Sequence, residues 1–203
     1  MRRQPPDSPP APGPVLVDFA TACLSGPAVS GSVRTVADLA GVFANEAARR
    51  ALPGDRLVYR VQIHAPVPDG TPGGLLWGNT VVEPGRVGDE YFMTKGHFHA
   101  LRDRGEYYVT ARGEGALILM DEGRRTWWEP MRPGSVHYIP GHTAHRVANT
   151  GDEPLAFLAC WPSDAGHDYD TIARDGFGAR LRDVGGRPTL VPSNVGLDGG
   201  APA

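Results

Sequence analysis

An all-β barrel or sandwich with a short helical extension at its N-terminus is the fold this sequence predicts, and three observations predict it. From residue 56 onward, short runs rich in Val, Ile, Tyr, Phe and Trp recur, each about a strand in length. Gly, Pro and Asp punctuate them at near-regular intervals, as the turns of a sandwich or barrel require. Before residue 56 the pattern differs: VRTVADLAGVFANEAARRAL, 33–52, carries apolar residues at 36, 39, 40, 43 and 47, a helical spacing that Pro53-Gly54 ends.

Taken in order, residues 1–14 are proline-rich and predicted to be disordered. Residues 15–55 form an extension that contains the helix. The strands then follow: LVYRVQIH (57–64), LLWGNTVVE (75–83), EYFMTKGHFH (90–99), EYYVTA (106–111), GALILMD (115–121), TWWEPM (126–131), SVHYIP (135–140), HRVANT (145–150) and LAFLACWP (155–162). No internal boundary interrupts them, so residues 56–190 read as one β domain. The Gly- and Pro-containing stretch 191–203 reads as a loose tail.

Composition excludes several function classes. A chain of 203 residues with a formal net charge of −3 and no basic arm is not built for nucleic acid. No apolar run approaches the roughly 20 residues of a membrane helix. The N-terminal MRRQPPDSPPAPGP lacks the apolar stretch of a secretory signal. A soluble cytoplasmic protein is expected. Cys23 and Cys160 lie far apart and form no ligand spacing, which suits a reducing compartment. Lys95 is the one lysine among the 20 cationic residues and adjoins a histidine pair. It reads either as a survivor of a coding bias or as a partner for an anionic ligand.

The chemistry concentrates in GHFHALRDRGEYYV, 96–109, and GSVHYIPGHTAHRVANTGDEP, 134–154. Alternate residues of a strand share a face, so His97 and His99 point the same way. A hairpin can return Glu106 beside them, and His145 can join from a neighbouring strand. Three imidazoles and one carboxylate suit Fe(II), Mn(II), Ni(II) or Zn(II), whereas calcium prefers oxygen donors alone. Strand histidines often do no more than hydrogen bond in place, and it is the His-Glu-His combination with turn residues between that favours a metal. His64, His137 and His142 stay outside this set. His137 reads as structural, and His142 lies on a turn near the mouth.

These segments resemble the two motifs of the cupin superfamily, small β-barrels with a metal in the mouth. The first is carried by His97, His99, Glu106 and Gly113, and the second by Gly134, Pro140, His145 and Asn149. The His99-to-Glu106 gap is longer than in the general motif, Tyr91 replaces its leading glycine, and His142 replaces a glycine of the second. TKGHFHALRDRGEYYV, YIPGHTAHRVANTGDEPLAFLA and WPSDAGHDYDTIARDGF are together similar to the cupin-type glucose-6-phosphate isomerases, which share the longer gap and the DAGHDY tail.

The resemblance implies a cupin, jelly-roll-like barrel. It implies an aldose-ketose isomerase acting on a sugar phosphate, one divalent metal per subunit with Fe(II) first, and a homodimer. Metal ligands fall on His97, His99, Glu106 and His145, with Glu106 also a candidate base. Phosphate contacts fall on Thr80, Thr94, Gly96 and Tyr108, with Lys95 beside them. His167 and Tyr169 would line the sugar side and take part in catalysis. Trp161 would also contact substrate, although it stands where the family commonly has tyrosine and lacks the phenol's acceptor. The residues themselves leave open an Fe(II) oxygenase, a sugar epimerase or a non-catalytic sugar-phosphate binder. They also leave open whether an isomerase would work through an enediol or a hydride shift.

Overall fold

A computed structural model describes residues 13–193. The expectations of disorder at 1–12 and of looseness at 194–203 lie outside the described residues. In chain order the strands are β1 (Leu16–Val17), β2 (Leu24–Ser25), β3 (Val29–Thr35), β4 (Leu57–His64), β5 (Leu75–Val82), β6 (Arg86–Val87), β7 (Glu90–Tyr91) and β8 (Glu106–Arg112). They continue as β9 (Gly115–Asp121), β10 (Thr126–Met131), β11 (Val136–Ile139), β12 (Thr143–Asn149), β13 (Leu155–Pro162), β14 (Ala179–Val184) and β15 (Arg187–Pro192). Two short helices, α1 (Glu46–Arg50) and α2 (Tyr169–Asp175), complete the set with one 3-10 turn at Ala37–Leu39.

A six-stranded antiparallel sheet, ordered β11-β8-β13-β5-β4-β3, and a three-stranded sheet, β10-β9-β12, supply one hydrophobic cluster between them. This is the double-sheet jelly-roll arrangement that the alternating runs predicted. Its sheets are separate hydrogen-bonded units among the described residues. Strand β9 is apolar without alternation and fully buried from Gly115 to Met120, as a strand covered on both faces must be. A third sheet, β15-β14-β7-β6, adds Val87, Tyr91 and Leu181 to that cluster. The outer face of the large sheet carries a second cluster, in which Ala22 and Leu24 pack on Val81, Ala156 and Leu158.

Three features differ from the sequence reading. The helix expected over 33–52 is a single turn, Glu46–Arg50, capped by Asn45, whose side chain accepts the Ala48 N–H. The first residues of that stretch belong instead to strand β3, which pairs with β4. The β-branched Val33 and Thr35 favour a strand, and Gly41, with φ of +77°, breaks the helical path. The extension is therefore an edge of the main sheet. The run 90–99 is not one strand: after β7 it continues through isolated bridges, Met93 to Ala148 and His97 to His145. Between these bridges three residues on one side face two on the other, and Gly96, with φ of +76°, absorbs the extra one. Lastly, α2 and the β14–β15 hairpin were not expected, and that hairpin extends order to Pro192.

Candidate metal centre and substrate pocket

The segment carrying the two histidines is pinned from both sides. On one side His97 N–H donates to the His145 carbonyl at 3.2 Å, and His145 N–H donates back at 3.0 Å. On the other, Phe98 exchanges the same pair of bonds with Asp168, at 3.3 and 2.8 Å. The local alternation predicted from sequence thus holds across 97–99 without a long strand. Glu106 opens β8 on the opposite sheet, so the cluster lies between the two sheets.

His97, His99, Glu106 and His145 each offer one donor atom, and the four atoms lie within 4.8 Å of one another. His99 Nδ1 lies 2.8 Å from the Arg104 carbonyl and His145 Nδ1 lies 3.3 Å from the Thr143 carbonyl. Those carbonyls only accept, so each Nδ1 carries the proton and each Nε2 presents a lone pair inward. Arg104 is in turn fixed by Asp164, at 3.0 and 2.8 Å, which ties the first histidine motif to the DAGHDY segment. His97 Nε2, His145 Nε2 and Glu106 Oε1 are buried without a hydrogen-bond partner. His145 Nε2 comes within 2.6 Å of Glu106 Oε1, and His99 Nε2 within 3.5 Å. Buried lone pairs that converge on one another are costly unless a cation sits among them. Three nitrogens and one oxygen fit a divalent transition metal.

The electrostatics agree. Burial alone would raise the Glu106 carboxyl, but positive charge at His145 and His99 more than offsets this and holds it at about 2; with their Nε2 lone pairs engaged, a bound cation would supply that charge in place of ring protons. Burial pushes the His97 imidazole well below its ordinary value, and His145, His167 and His99 push it further, so it is neutral. Burial, and then the charge of Glu106, raise the Tyr108 hydroxyl well above its ordinary value, so it is a donor and not a base.

The cluster opens into a cavity of about 240 Å³. Its floor is the inner face of the large sheet, read at alternate residues: Thr80 from β5, Ala159 and Trp161 from β13, Glu106 and Tyr108 from β8. Thr94, Lys95 and Gly96 form one wall, and His167 and Tyr169 another. Every site residue named from the sequence lines this cavity except His99, which is buried and contributes one donor atom to the cluster. The His167 ring centroid is 4.4 Å from that of His97 and is stacked on Tyr169 at 5.6 Å. Partial desolvation lowers the His167 imidazole, leaving it neutral at pH 7. Thr94 Oγ1 accepts the Val147 N–H at 3.0 Å, which leaves its own proton free to donate. Trp161 fits because Gly78 has no side chain: a Cβ there would lie 3.0 Å from the indole.

Of the histidines outside the set, His137 is buried between Glu129, at 2.6 Å, and Ser135, at 2.8 Å, a structural role. His142 is exposed and lies 3.2 Å from Glu122. The sequence reading missed Ser32, Arg34 and Tyr59, which also line the cavity. For Ser32 and Arg34 the signal was the alternation in VSGSVRT, hidden beneath the helical spacing that follows it, whereas Tyr59 lies on the expected strand 57–64.

Comparison with known proteins gives three results. The description of the family "Glucose-6-phosphate isomerase (GPI)" matches residues 33–190. The glucose-6-phosphate isomerase of Pyrococcus horikoshii is 42% identical over 179 residues, 87% of this chain and 93% of that protein. That of Thermococcus kodakarensis is 45% identical over 146 residues, 71% of this chain and 76% of that one. Among solved structures, the oxalate decarboxylase of Bacillus subtilis superposes with a TM-score of 0.41 at 24% identity, over 54% of this chain and 26% of that chain.

Proposed function

The chain belongs to the glucose-6-phosphate isomerase family, and from that premise we propose that it interconverts glucose 6-phosphate and fructose 6-phosphate at the site between its two sheets. The observation that carries this reading is the convergence of buried, unpartnered donor atoms from His97, His145 and Glu106 at one end of a cavity lined by Thr80, Thr94 and Gly96. His97, His99, Glu106 and His145 would hold a divalent cation, with Fe(II) first and Mn(II), Ni(II) or Zn(II) compatible with the donors. Bound there, a divalent ion supplies Lewis-acid polarisation of the sugar's C1 and C2 oxygens.

The chain's own groups do the rest. Glu106, anionic at neutral pH, sits where it can take a proton from a carbon or hydroxyl beside the cluster. His167, neutral and packed on His97, can receive or return a proton at a sugar oxygen, and Tyr169 holds its ring in place. Thr80, the free proton of Thr94 Oγ1, Lys95 and the backbone at Gly96 suit the phosphate. Tyr108 faces Glu106 and so is assigned to the sugar end, with Trp161 beside it.

A coupled assay with fructose 6-phosphate is the test. Turnover abolished by a chelator and restored by Fe(II) or Mn(II) supports the proposal. Oxygen uptake, an epimerised product, or tight sugar-phosphate binding without turnover would replace it with one of the other cupin activities. We also infer a cytoplasmic homodimer. Tyr107, Val136 and Tyr138 stand exposed together on β8 and edge strand β11, with the two tyrosine rings 5.0 Å apart. No helix among the described residues is long and apolar enough to cross a membrane. Light scattering of the protein and of Tyr138→Glu tests the dimer, and a monomeric parent protein would refute it.

A further inference from the structure

We propose that Arg34 is the specificity-determining residue for the phosphate group, a role that rests on the isomerase reading. The cavity is electrically lopsided. Glu106 is its one lining carboxylate and belongs to the histidine end, while the formal cations of the lining, apart from histidine, are Arg34 and Lys95. A ligand with a hydroxyl-and-carbonyl head and a dianionic tail is oriented by that polarity alone, head toward the cluster and tail toward Arg34.

The sheet register aims Arg34 at this end. Ser32 pairs with Val61, and Val61 with Thr80, so these three form one inward-facing row. Arg34 is two residues on from Ser32, on the same face, opposite Tyr59. Its backbone lies two strands across and two residues along from Thr80, roughly 12 Å at the usual strand spacing and rise, a gap that a long side chain can narrow. The register shifts between Arg34 and Thr35, a β-bulge of the kind that re-aims side chains beside sites. Its charge also reaches the hydroxyls of Tyr59 and Tyr169, both in the cavity wall.

Arg34 is unspent. Among the described residues its one side-chain hydrogen bond runs from Nη1 to the Val33 carbonyl, at 2.7 Å. Among the described residues no carboxylate lies within ion-pair distance of it, whereas Arg60 on the neighbouring strand is paired with Glu83 at 2.9 Å. Asp38, whose carboxyl feels the Arg34 charge, spends one oxygen on the Thr35 N–H and hydroxyl, at 2.8 and 3.0 Å. A guanidinium with most of its five donors free matches two phosphate oxygens at once, which Lys95 cannot do.

Kinetics of Arg34→Gln and Arg34→Lys decide the matter. The loss of charge-assisted hydrogen bonds predicts a KM for fructose 6-phosphate about 10- to 100-fold higher in Arg34→Gln. Inhibition by inorganic phosphate should weaken by a similar factor, inhibition by unphosphorylated sorbitol should not change, and Arg34→Lys should recover part of the loss. Unchanged KM and phosphate inhibition in Arg34→Gln would overturn the role, as would a loss confined to kcat. Should the parent protein fail to isomerise, the isomerase reading falls. Calorimetric titration of both proteins with phosphate then still tests Arg34: equal affinities refute it.

Discussion

A histidine becomes a ligand when one ring nitrogen is occupied and the other has nowhere else to go. His99 and His145 meet both conditions, with Nδ1 against a carbonyl and Nε2 facing Glu106. Removing either His97 or His145 leaves three donors around a gap. Each alanine variant is expected to lose most of its metal on dialysis, which elemental analysis measures, and full occupancy in both would show that these residues do not form the site. Glu106→Gln separates binding from chemistry. The amide keeps an oxygen donor and loses the charge. Partial metal retention with kcat lower by about 10²- to 10⁴-fold is expected if the carboxylate moves the proton. Near-normal kcat in the metal-loaded variant would move that role elsewhere. This part of the site was legible in the sequence because its information is local. His97 and His99 share a face by alternation, and Glu106 and His145 follow turns that Gly and Pro mark.

At the scale of elements, two short pieces of backbone set the cavity walls. Gly96 carries the bulge that lets residues 93–97 pair with β12 out of step, and a Cβ there would lie 3.0 Å from both the Arg146 Cβ and the Phe177 ring. Gly96→Ala combines that crowding with a left-handed backbone costing about 1–2 kcal/mol. It should lower Tm and shift Thr94 and His97 together, so kcat/KM and metal retention fall in parallel. A variant that loses neither would show that the bulge is not under strain. Helix α2 is capped by Asp168, whose side chain accepts the Thr171 N–H at 3.0 Å and pairs with Arg102. The bonds from Thr171, and then Arg102, hold its carboxyl at about 2. Its folded pKa lies below the ordinary carboxylate value of 3.8. Its contribution is therefore complete above about pH 4 and is lost as pH falls towards 2. Asp168→Ala should cost about 1 kcal/mol at neutral pH, and that difference should vanish by about pH 2 in denaturant titrations run across the range. A difference that persists at pH 2 would assign the cost to packing. The sequence did not reveal α2, because a helix of seven residues after a polar turn has too short a period to register. Nor did it reveal Arg34, whose place in the cavity depends on a strand joining the sheet edge, a non-local fact.

At the scale of the whole molecule, most strands from 57 to 162 were readable, the broken run 90–99 excepted, because β-branched and aromatic runs alternate with turn residues, and one buried cluster requires both sheets. The N-terminal region was not, and its part is larger than that of an appendage. Residues 15–25 cover the outer face of the large sheet: Leu24 is buried there, Asn79 donates to the Ala22 carbonyl at 2.6 Å, and Gln62 bonds both the N–H and the carbonyl of Leu24 at 2.9 and 3.1 Å. Beyond them β3 brings Arg34 to the cavity. Deletion of residues 1–27 separates cover from site, because it strips the outer face and leaves β3 intact. Burying one leucine contributes about 2 kcal/mol and three hydrogen bonds about 1 kcal/mol each. In a chain of this length, a loss of about 5 kcal/mol lowers Tm by about 10–20 °C. At 25 °C, where the sheets still hold, kcat/KM for fructose 6-phosphate should stay close to that of the full chain, since no lining residue is removed. A deletion that abolishes activity while the circular dichroism remains native would mean that the first 27 residues act on the cavity itself and not only on the sheet behind it.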